Sequence, residues 1–461
     1  MYLFIDWWEL NPSTGDYDYH SAEYHTLENL SFAPQADLTG NSLPVNEYTL
    51  DIITTDGIPD QVDTIELYDD LGQLWAAWPL RHVQRIAANC WRIRAASWVE
   101  DLDTITLPAK MYTTETAADV ALECFGGDPS YFTVDAALQA VPISGFCPEQ
   151  SARERLTWLV FVIGAYVCDT WRDDLLITAV DSTTTLIPFE RTYWRPTVDT
   201  AEWVTAIRVT AYTFRQGTEE EWQEDENSYM FPVPWIATPR LFELRNPDAP
   251  GADSSAGTVI DLSDPDAPAP ATGNVIELDA LYLINPANVS TLLTRLAGYW
   301  FNPVEAQVAC INNRQYRPGD LVTAYTDRDR LVMGYVTQAT FAFGKQAKSA
   351  LKLVGAVSVT GAKLTITYTY QGGVIGREVY YLPVGHTYSI QNPYIDHTWG
   401  DKRFVYRPQA EAVTGTIVDG DNAVSQAYDL ALMYADNDLT IYSADAVTEQ
   451  ASASETVGVI A

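Results

Sequence analysis

The stretch PISGFCPEQSARERLTWLVFVIGAYVCDTWRDDLLI, residues 142–177, carries the clearest secondary-structure signals of the chain. Pro148 and the run Ser151–Glu154 are typical of a helix start, because Ser followed three residues later by Glu can form a capping box. Four apolar residues then recur at helical spacing: Leu156, Leu159, Val160 and Ile163. Gly164 ends this helix, and a hairpin follows, with AYVCDTW and LLITAV as its strands and a turn at Arg172–Asp174. Residues 101–190 are therefore predicted to be a small α+β insert.

On both sides of this insert the pattern changes to β. In CWRIRAAS (90–97), Trp91, Ile93 and Ala95 alternate with arginines, which predicts a strand with one buried face. Trp203 to Ala211 alternates in the same way, and one helix beginning at Pro286 interrupts the second β region. Further predicted strands are YTLDIIT (48–54), DTIELYD (63–69), Leu74–Leu80, VEAQVA (304–309), LVTAY (321–325) and LVMGYVTQATFAF (331–343).

A flexible insertion is predicted at about residues 217–273. It begins with GTEEEWQEDEN, which has six acids and no base, and its second part, 246–273, holds five prolines. Such a stretch without periodicity is typical of a loop that decorates a scaffold. Acids in this run could also face a pore and keep DNA from sticking.

The net charge excludes several classes of function. The 461 residues contain 62 acids and 27 bases, which gives a formal charge of −35. A nucleic-acid-binding surface needs clustered Lys and Arg, so binding to phosphate or to anionic membranes is disfavoured. No apolar stretch exceeds the 11 residues from Trp158 to Cys168, whereas about 20 are needed to span a bilayer. The start MYLFIDWWEL lacks a basic region, so no signal peptide is expected.

The five cysteines are Cys90, Cys124, Cys147, Cys168 and Cys310. They are odd in number and scattered, and no CxxC occurs, so buried free thiols and folding in a reducing cytoplasm are expected.

No catalytic motif is found. The only histidines are His20, His25, His82, His386 and His397, and HExxH, GxSxG, GxxxxGK[ST] and GxGxxG are all missing. Paired carboxylates could serve glycoside hydrolysis, but Asp69–Asp70, Asp101/Asp103 and Asp173–Asp174 each fit turn chemistry. Asp419–Asn422 and Asp436–Asp438 lack the Glu that completes a calcium loop. No catalytic residue, metal site or cofactor is predicted.

The last 103 residues, 359–461, form a separate predicted β module that contains ten of the 27 tyrosines. LTITYTY (364–370), a turn at Gln371–Gly373 and REVYYLPV (377–384) predict a hairpin, and Thr360–Gly361 is the predicted joint to the preceding barrel. Aromatic residues cluster here that could recognise a partner or could pack a small core: Tyr380, Tyr381, Tyr388, Tyr394 and Trp399.

Several stretches resemble baseplate-hub, or tail-tip, proteins of tailed phages and prophages of Gram-positive hosts. The resemblance covers about residues 1–358 and is carried by pattern. Its segments are LPVNEYTLDI (43–52), IELYDDLGQLWAAWPLRHVQRIAANCWRIRAAS (65–97), LPAKMYTTETAADV (107–120), residues 142–177, YRPGDLVTAY (316–325), GYVTQATFAFG (334–344) and LKLVG (351–355). The last module is loosely similar to MucBP-type β-grasp domains of adhesins, through the stretch LTITYTYQGGVIGREVYYLPVGHTYSI.

This resemblance implies a mainly β fold with an α+β insert. It implies tube-type β-barrels at 1–100 and 191–358, the insert at 101–190 and a C-terminal β module at 359–461. In the family, three copies form a ring that adapts a hexameric tube to a trimeric tip. Many relatives carry a C-terminal peptidase or lysozyme-like domain, and this chain departs from them there.

The expected function is a structural, non-enzymatic baseplate hub in the virion, made in the host bacterial cytoplasm and needing no cofactor. It would be a homotrimer that closes the distal tail tube. Its expected partners are the distal tail or tube protein, the tape-measure protein and spike or fibre proteins, with DNA only in transit during genome ejection and no integral membrane. The alternatives are a tail-associated cell-envelope hydrolase and a receptor-binding adhesin for host attachment.

Overall fold

The structure is a computed structural model. It describes residues 2–10, 17–25, 31–54, 64–68, 74–180, 184–187, 192–200, 202–217, 235–252, 254–278, 281–302, 304–311, 316–327, 330–342, 348–385, 387–399, 402–435 and 440–443.

The described part of residues 1–100 forms seven strands: β1 (Tyr2–Leu10), β2 (Tyr17–His25), β3 (Ser31–Phe32), β4 (Glu47–Ile53), β5 (Thr64–Tyr68), β6 (Leu74–Ala87) and β7 (Cys90–Ala96). A 3-10 helix follows at Trp98–Asp103. The insert then contains β8 (Thr106–Leu107), β9 (Lys110–Tyr112), α1 (Ala117–Cys124), a 3-10 turn at Pro129–Tyr131, β10 (Phe132–Val134), α2 (Ala136–Gln139), β11 (Gly145–Cys147), β12 (Gln150–Ser151), α3 (Ala152–Ile163), β13 (Ala165–Cys168), β14 (Leu175–Ala179) and β15 (Thr184–Leu186).

The next elements are β16 (Thr197–Thr200), β17 (Ala206–Gln216), β18 (Trp235–Arg245), β19 (Val259–Asp261), β20 (Val275–Glu277), α4 (Val289–Trp300), β21 (Val304–Ile311), β22 (Leu321–Asp327), β23 (Arg330–Ala342) and β24 (Lys348–Tyr370). The chain continues with β25 (Gly373–Pro383), β26 (Thr387–Gln391), β27 (Ile395–Trp399), β28 (Lys402–Pro408), β29 (Ala412–Thr416), β30 (Asn422–Ala435) and β31 (Thr440–Ser443). The fold is mainly β with an α+β insert, as the sequence predicts.

The chain divides into two compact units. The first contains Met1–Thr183, Thr197–Leu321 and Gly334–Val357, and the second contains Thr184–Pro196, Val322–Met333 and Ser358–Ala461. The second unit is thus larger than the predicted C-terminal module. The division between Val357 and Ser358 lies close to the predicted start of the module at residue 359, and the predicted joint at Thr360–Gly361 lies inside the continuous strand β24. The sequence does not predict β24 as one continuous strand, because Gly355 and Gly361 interrupt its apolar pattern.

In the first unit, a six-stranded sheet has the order β2-β1-β5-β6-β7-β4. It curls so far that Cα atoms of its edge strands β2 and β4 come within 8 Å of each other, which makes it nearly a barrel. Alternation decides its buried face: Ile93 and Ala95 are fully buried, while Arg92 points outward to Asp51. Strand β3 does not belong to this sheet, because it pairs with β23 through Phe32 and Phe341.

The α+β insert forms as predicted, with one change at its helix start. Ser151 is the N-cap of α3 and shares a capping box with Glu154, whereas Pro148 lies outside the helix. Gly164 ends α3 with a φ of 75°, in the left-handed region that glycine adopts without strain. The hairpin follows as β13 and β14, and β10 joins β14 in parallel to complete a three-stranded sheet. Leu156, Leu159 and Val160 lie in the core of the insert.

The second β region contains two sheets of the first unit. One is four-stranded, with the order β19-β18-β17-β20, and it packs Ile207 and Val209 against helix α4. The other joins β16, β21, the first part of β24, the last part of β23 and β3. The predicted flexible insertion at 217–273 is corrected, because β18 and β19 lie within it; residues 218–234, with the acidic run, lie outside the described residues.

In the second unit, the later part of β24 pairs with β25 and, in parallel, with β30. Strand β30 also pairs with β28 and β31, and β28 pairs with β27. The predicted hairpin LTITYTY–REVYYLPV is confirmed as β24 and β25, with Leu364 opposite Tyr380. No helix among the described residues is long and apolar enough to cross a membrane.

Candidate functional site

Three of the carboxylates that could have formed a catalytic pair, Asp101, Asp103 and Asp174, are engaged in structural contacts, and Asp173 is exposed. Asp101 accepts two hydrogen bonds from Arg81, and Asp103 pairs with Arg153 at 2.7 Å. Asp174 accepts from Arg172 at 2.6 Å. Burial alone would raise the pKa of Asp174, but the hydrogen bonds from Arg172 and Thr133 hold it below its ordinary value. Asp69–Asp70 and Asp436–Asp438 lie outside the described residues.

His20 and His25 lie on the same strand, His82 and His397 lie on two others, and His386 lies outside the described residues. His20 lies in β2 opposite Trp7, and His82 and His397 are exposed on β6 and β27. Within the described ranges, no group of three or more His, Cys, Asp or Glu side chains is arranged to hold a metal ion. Cys124, Cys147, Cys168 and Cys310 are buried free thiols as predicted, while Cys90 is half-buried at the start of β7. Burial raises the pKa of Cys147 and of Cys310 to about 12, so these thiols stay protonated at neutral pH.

Arg155 on α3 is fully buried and organises the insert. Its guanidinium donates to Glu123 at 3.0 Å and to the carbonyls of Pro108 and Pro148 at 2.7 and 2.9 Å. Nη1 of Arg155 also donates to the hydroxyl of Tyr112 at 3.2 Å. Because every contact is to a neighbouring loop, strand or helix, this cluster is a structural clamp.

Glu243 on β18 is the second buried charge, with no exposed surface. Arg208 donates to it at 2.7 Å and Arg245 at 2.8 Å, and the backbone N–H of Ala271 also donates to it. Burial alone would raise the pKa of Glu243, but these hydrogen bonds hold it below its ordinary value. The cluster ties the proline-rich segment 246–273 to the four-stranded sheet, which sequence reasoning missed.

Asp169 is buried, and its carboxylate forms no ion pair with the described residues. Asn46 Nδ2 donates to its carboxylate at 2.7 Å, and Trp78 Nε1 donates to its backbone carbonyl at 2.9 Å. Burial raises the pKa of Asp169 to about 6, and the hydrogen bonds from Ser97 and Asn46 offset only part of this effect. This contact joins the loop before β4 to the loop between β13 and β14.

Two exposed surfaces of the first unit can contact another molecule: a groove beside β17 and the strand β16. A groove of about 420 Å³ runs beside β17 and is lined on one side by Tyr212, Phe214 and Trp235. Its other walls come from Met111–Thr113, Ser144–Gly145 and Asn285–Ala287. A second surface is strand β16, whose four residues are all exposed.

The aromatic residues predicted for partner recognition occupy unlike positions. Tyr380 and Tyr388 are buried in the core of the second unit. Tyr381 is half-buried against Tyr325, with ring centroids 5.1 Å apart. Tyr394 is 70% exposed, and the side chain of Trp399 lies outside the described residues. Of the four described side chains in the set, Tyr394 is therefore the one that offers a large free surface.

No protein-family model matches the chain, and no curated protein sequence matches it. The search of solved structures finds chains that are similar to this one at low identity. The tail protein from Neisseria meningitidis is 10% identical, with a TM-score of 0.47, over 77% of this chain and 96% of its own length. The 43 kDa tail protein of prophage MuSo2 from Shewanella oneidensis is 9% identical, with a TM-score of 0.45, over 76% and 98%.

The prophage tail protein gp18 from Listeria monocytogenes is 10% identical, with a TM-score of 0.44, over 77% of this chain and 94% of its own. All three are described as tail proteins.

Proposed function

We propose that this chain is a structural hub of a phage tail tip or of a related injection machine. Three copies form a ring that closes the distal tail tube and organises the spike, the fibres and the tape-measure protein. The observation that carries the proposal is that one chain combines a strongly curled sheet with strand edges that have no partner among the described strands. Open edges are satisfied by pairing with another chain, and a heterologous interface that closes makes a ring.

The test is the number of copies at the tip of an assembled particle. Imaging of the particle is expected to show three copies around the tube axis. One copy or six copies would contradict the proposal. A zymogram on peptidoglycan separates the hub from the alternative of an envelope hydrolase, since the hub produces no clearing.

We also propose that the wall of the ring that faces DNA is acidic. Residues 1–358 hold 50 acids and 22 bases, a charge of −28, so most of the excess negative charge belongs to this part. Phosphates slide past like charge without docking. A mainly basic inner wall in an imaged ring would overturn this part of the proposal.

The second unit is proposed to recognise a partner through Tyr394, with Tyr381 and Trp399 near it in sequence. Tyrosine adds contact area at low entropy cost. Replacing Tyr394 by Ala is expected to weaken host adsorption or fibre attachment without changing the thermal midpoint. The matched control is Tyr19→Ala, which removes a tyrosine of similar exposure, 56%, from the other unit. Equal adsorption by both variants would contradict this role.

A further inference from the structure

A cavity of about 260 Å³ lies in the first unit, at the C-terminal end of α4. A water molecule occupies about 30 Å³ in the liquid, so the cavity has room for a side chain or a small organic group. It shares no lining residue with the groove beside β17. The residues used below that line it are Asp37, Glu202, Tyr299, Trp300, Val304, Glu305 and Gly355.

The charged side chains that line the cavity are all acidic: Asp37, Glu202 and Glu305. Glu305 pairs with Lys352 at 3.4 Å. Asp37 accepts hydrogen bonds from neutral groups of its own loop and forms no ion pair with the described residues. The carboxylate of Glu202 is exposed and has no partner within the described part of the chain. Two negative charges at the cavity are therefore uncompensated.

The end of α4 adds negative potential. The last carbonyls of a helix lack partners within the helix and carry partial negative charge. No basic residue lies in the last turn of α4. The carbonyl of Gly298 lies beside the cavity, because a Cβ on the lining residue Gly355 would be 3.0 Å from its oxygen. Arg295, the base of this helix, does not line the cavity, and its guanidinium donates to the backbone carbonyls of residues 38, 39 and 161.

Two aromatic side chains, Tyr299 and Trp300, form another part of the wall. Within the described ranges, no Lys or Arg of the chain lies over either ring. The face of an aromatic ring attracts a cation, and the planar guanidinium of arginine stacks on it. The rings thus favour the same sign of ligand charge as the carboxylates do.

The hydroxyl of Tyr299 is a polar group without a partner. The residue is only 9% exposed, and its hydroxyl forms no hydrogen bond with the described residues. The oxygen is not among the unpaired atoms that are sealed from solvent, so it reaches the cavity. Burial raises the pKa of Tyr299 to about 12, so the group is neutral at pH 7. A buried polar group without a hydrogen bond is unfavourable, and a donor in the cavity would remove this cost.

These features together select the chemistry of the ligand. The carboxylates are not grouped as a metal site needs, in the part of the chain that the structure describes. A guanidinium can donate to a carboxylate and to the Tyr299 hydroxyl while it stacks on a ring, because its donors lie in one plane. A lysine ammonium has no planar face to stack.

The surroundings of the cavity indicate a protein as the source of this group. Strand β16 lies next to it, because Thr200 pairs with the lining residue Val304. All four residues of β16 are exposed, and Val198 and Trp203 are 45% and 38% exposed. An arginine inserted into a pocket beside exposed apolar side chains is typical of the centre of a protein interface.

We propose that the cavity binds the guanidinium of an arginine side chain that a partner protein presents. This inference goes beyond the proposed hub and does not depend on the ring.

Fluorine NMR of the full-length chain, labelled with 5-fluorotryptophan, tests the site. The Trp300 signal is assigned by its loss in Trp300→Phe. The probe is a blocked peptide with one arginine between glycines, and it is expected to shift this signal saturably. The same peptide with lysine is expected to bind at least threefold more weakly, and with citrulline to have no effect. Guanidinium ion alone is expected to bind more weakly than the arginine peptide, and equal affinity would contradict a partner's side chain as the ligand.

Substitutions separate the site from general charge effects. Glu202→Gln is expected to weaken binding of the arginine peptide about fivefold. Tyr299→Phe is expected to weaken it about threefold without lowering the thermal midpoint, since it removes only an unpaired hydroxyl. The matched control is Asp421→Asn, which removes an equal charge at an exposed position before β30 and is expected to bind like the wild type. The proposal is wrong if no saturable shift occurs, if lysine or citrulline binds as well as arginine, or if Asp421→Asn weakens binding as much as Glu202→Gln.

Discussion

Three buried ionisable side chains are accommodated by different neighbours. Arg155 faces Glu123, and Glu243 lies between two arginines, so each charge is compensated. Asp169 is hydrogen-bonded by neutral groups, Asn46 and Ser97. A buried charge without a counter-ion is costly, and the group responds by holding its proton more tightly. The pKa of Asp169 therefore rises, whereas that of Glu243 falls.

Asp169 makes stability depend on pH. Its folded-state pKa of about 6 lies above the ordinary value of 3.8, so the folded protein binds this proton more tightly than the unfolded chain does. The resulting contribution to the stability of the fold is fully present below about pH 4 and is lost as pH rises through 6. Asp169→Asn keeps the acceptor for Asn46 and removes the charge. We expect the free energy of unfolding of the variant, relative to that of the wild type, to rise by on the order of 2 kcal/mol between pH 4 and pH 7. Thermal midpoints across this range measure the difference.

Asp174→Asn is the control of opposite sign. The pKa of Asp174 is lowered, so its charge stabilises the fold at neutral pH and this contribution is lost as pH falls. The variant is expected to be less stable than wild type at pH 7 and to approach it in acid. The same pH trend in both variants would contradict the assignment for Asp169.

Arg155→Ala is expected to lower the free energy of unfolding by about 3–5 kcal/mol, because it leaves Glu123 and the carbonyls of Pro108 and Pro148 without this donor. Urea denaturation followed by tryptophan fluorescence measures the loss. Arg153→Ala, which removes a more exposed ion pair with Asp103 from the same helix, is expected to cost clearly less. Equal losses would show that the buried clamp has no special role.

At the scale of the element, a glycine at a helix end and a glycine in a helix interior have opposite roles. Gly164 ends α3 with a φ of 75°, and a Cβ there would lie 3.1 Å from Arg295 Cδ. Gly298 lies inside α4, and a Cβ there meets nothing within 4 Å. We expect Gly164→Ala to destabilise by about 1 kcal/mol or more. Gly298→Ala is expected to stabilise by up to about 1 kcal/mol, and thermal unfolding of both variants checks the signs.

Local signals decided which elements could be predicted. The capping box at Ser151, the apolar face of α3 and the alternation of β7 are contained in a few neighbouring residues, and each prediction is confirmed. Strand β18 was missed because Pro239 and the acidic run before it are typical of loops. Its stability comes from pairing with β17 and from the contacts of Glu243, which no local pattern reveals.

At the scale of the whole molecule, charge controls association. Copies that each carry −35 repel one another at long range, and salt screens this repulsion within about 10 Å at 0.1 M. We expect association of the chain to strengthen as salt rises from low concentration to about 0.15 M. Mass photometry across this range measures it. Association that weakens with salt would indicate that attraction between opposite charges dominates the interface.

The sequence by itself determined the acidic character, the mainly β fold, the α+β insert with its capped helix, and the resemblance to tail-tip proteins. Composition and short-range periodicity contain this information, because capping and alternation act between close neighbours. Only the tertiary structure decided that β3 joins β23, that β24 runs through the predicted joint, and that Tyr380 and Tyr388 are buried. These outcomes depend on pairing between residues far apart in the chain, where long-range packing and hydrogen bonding override local preference.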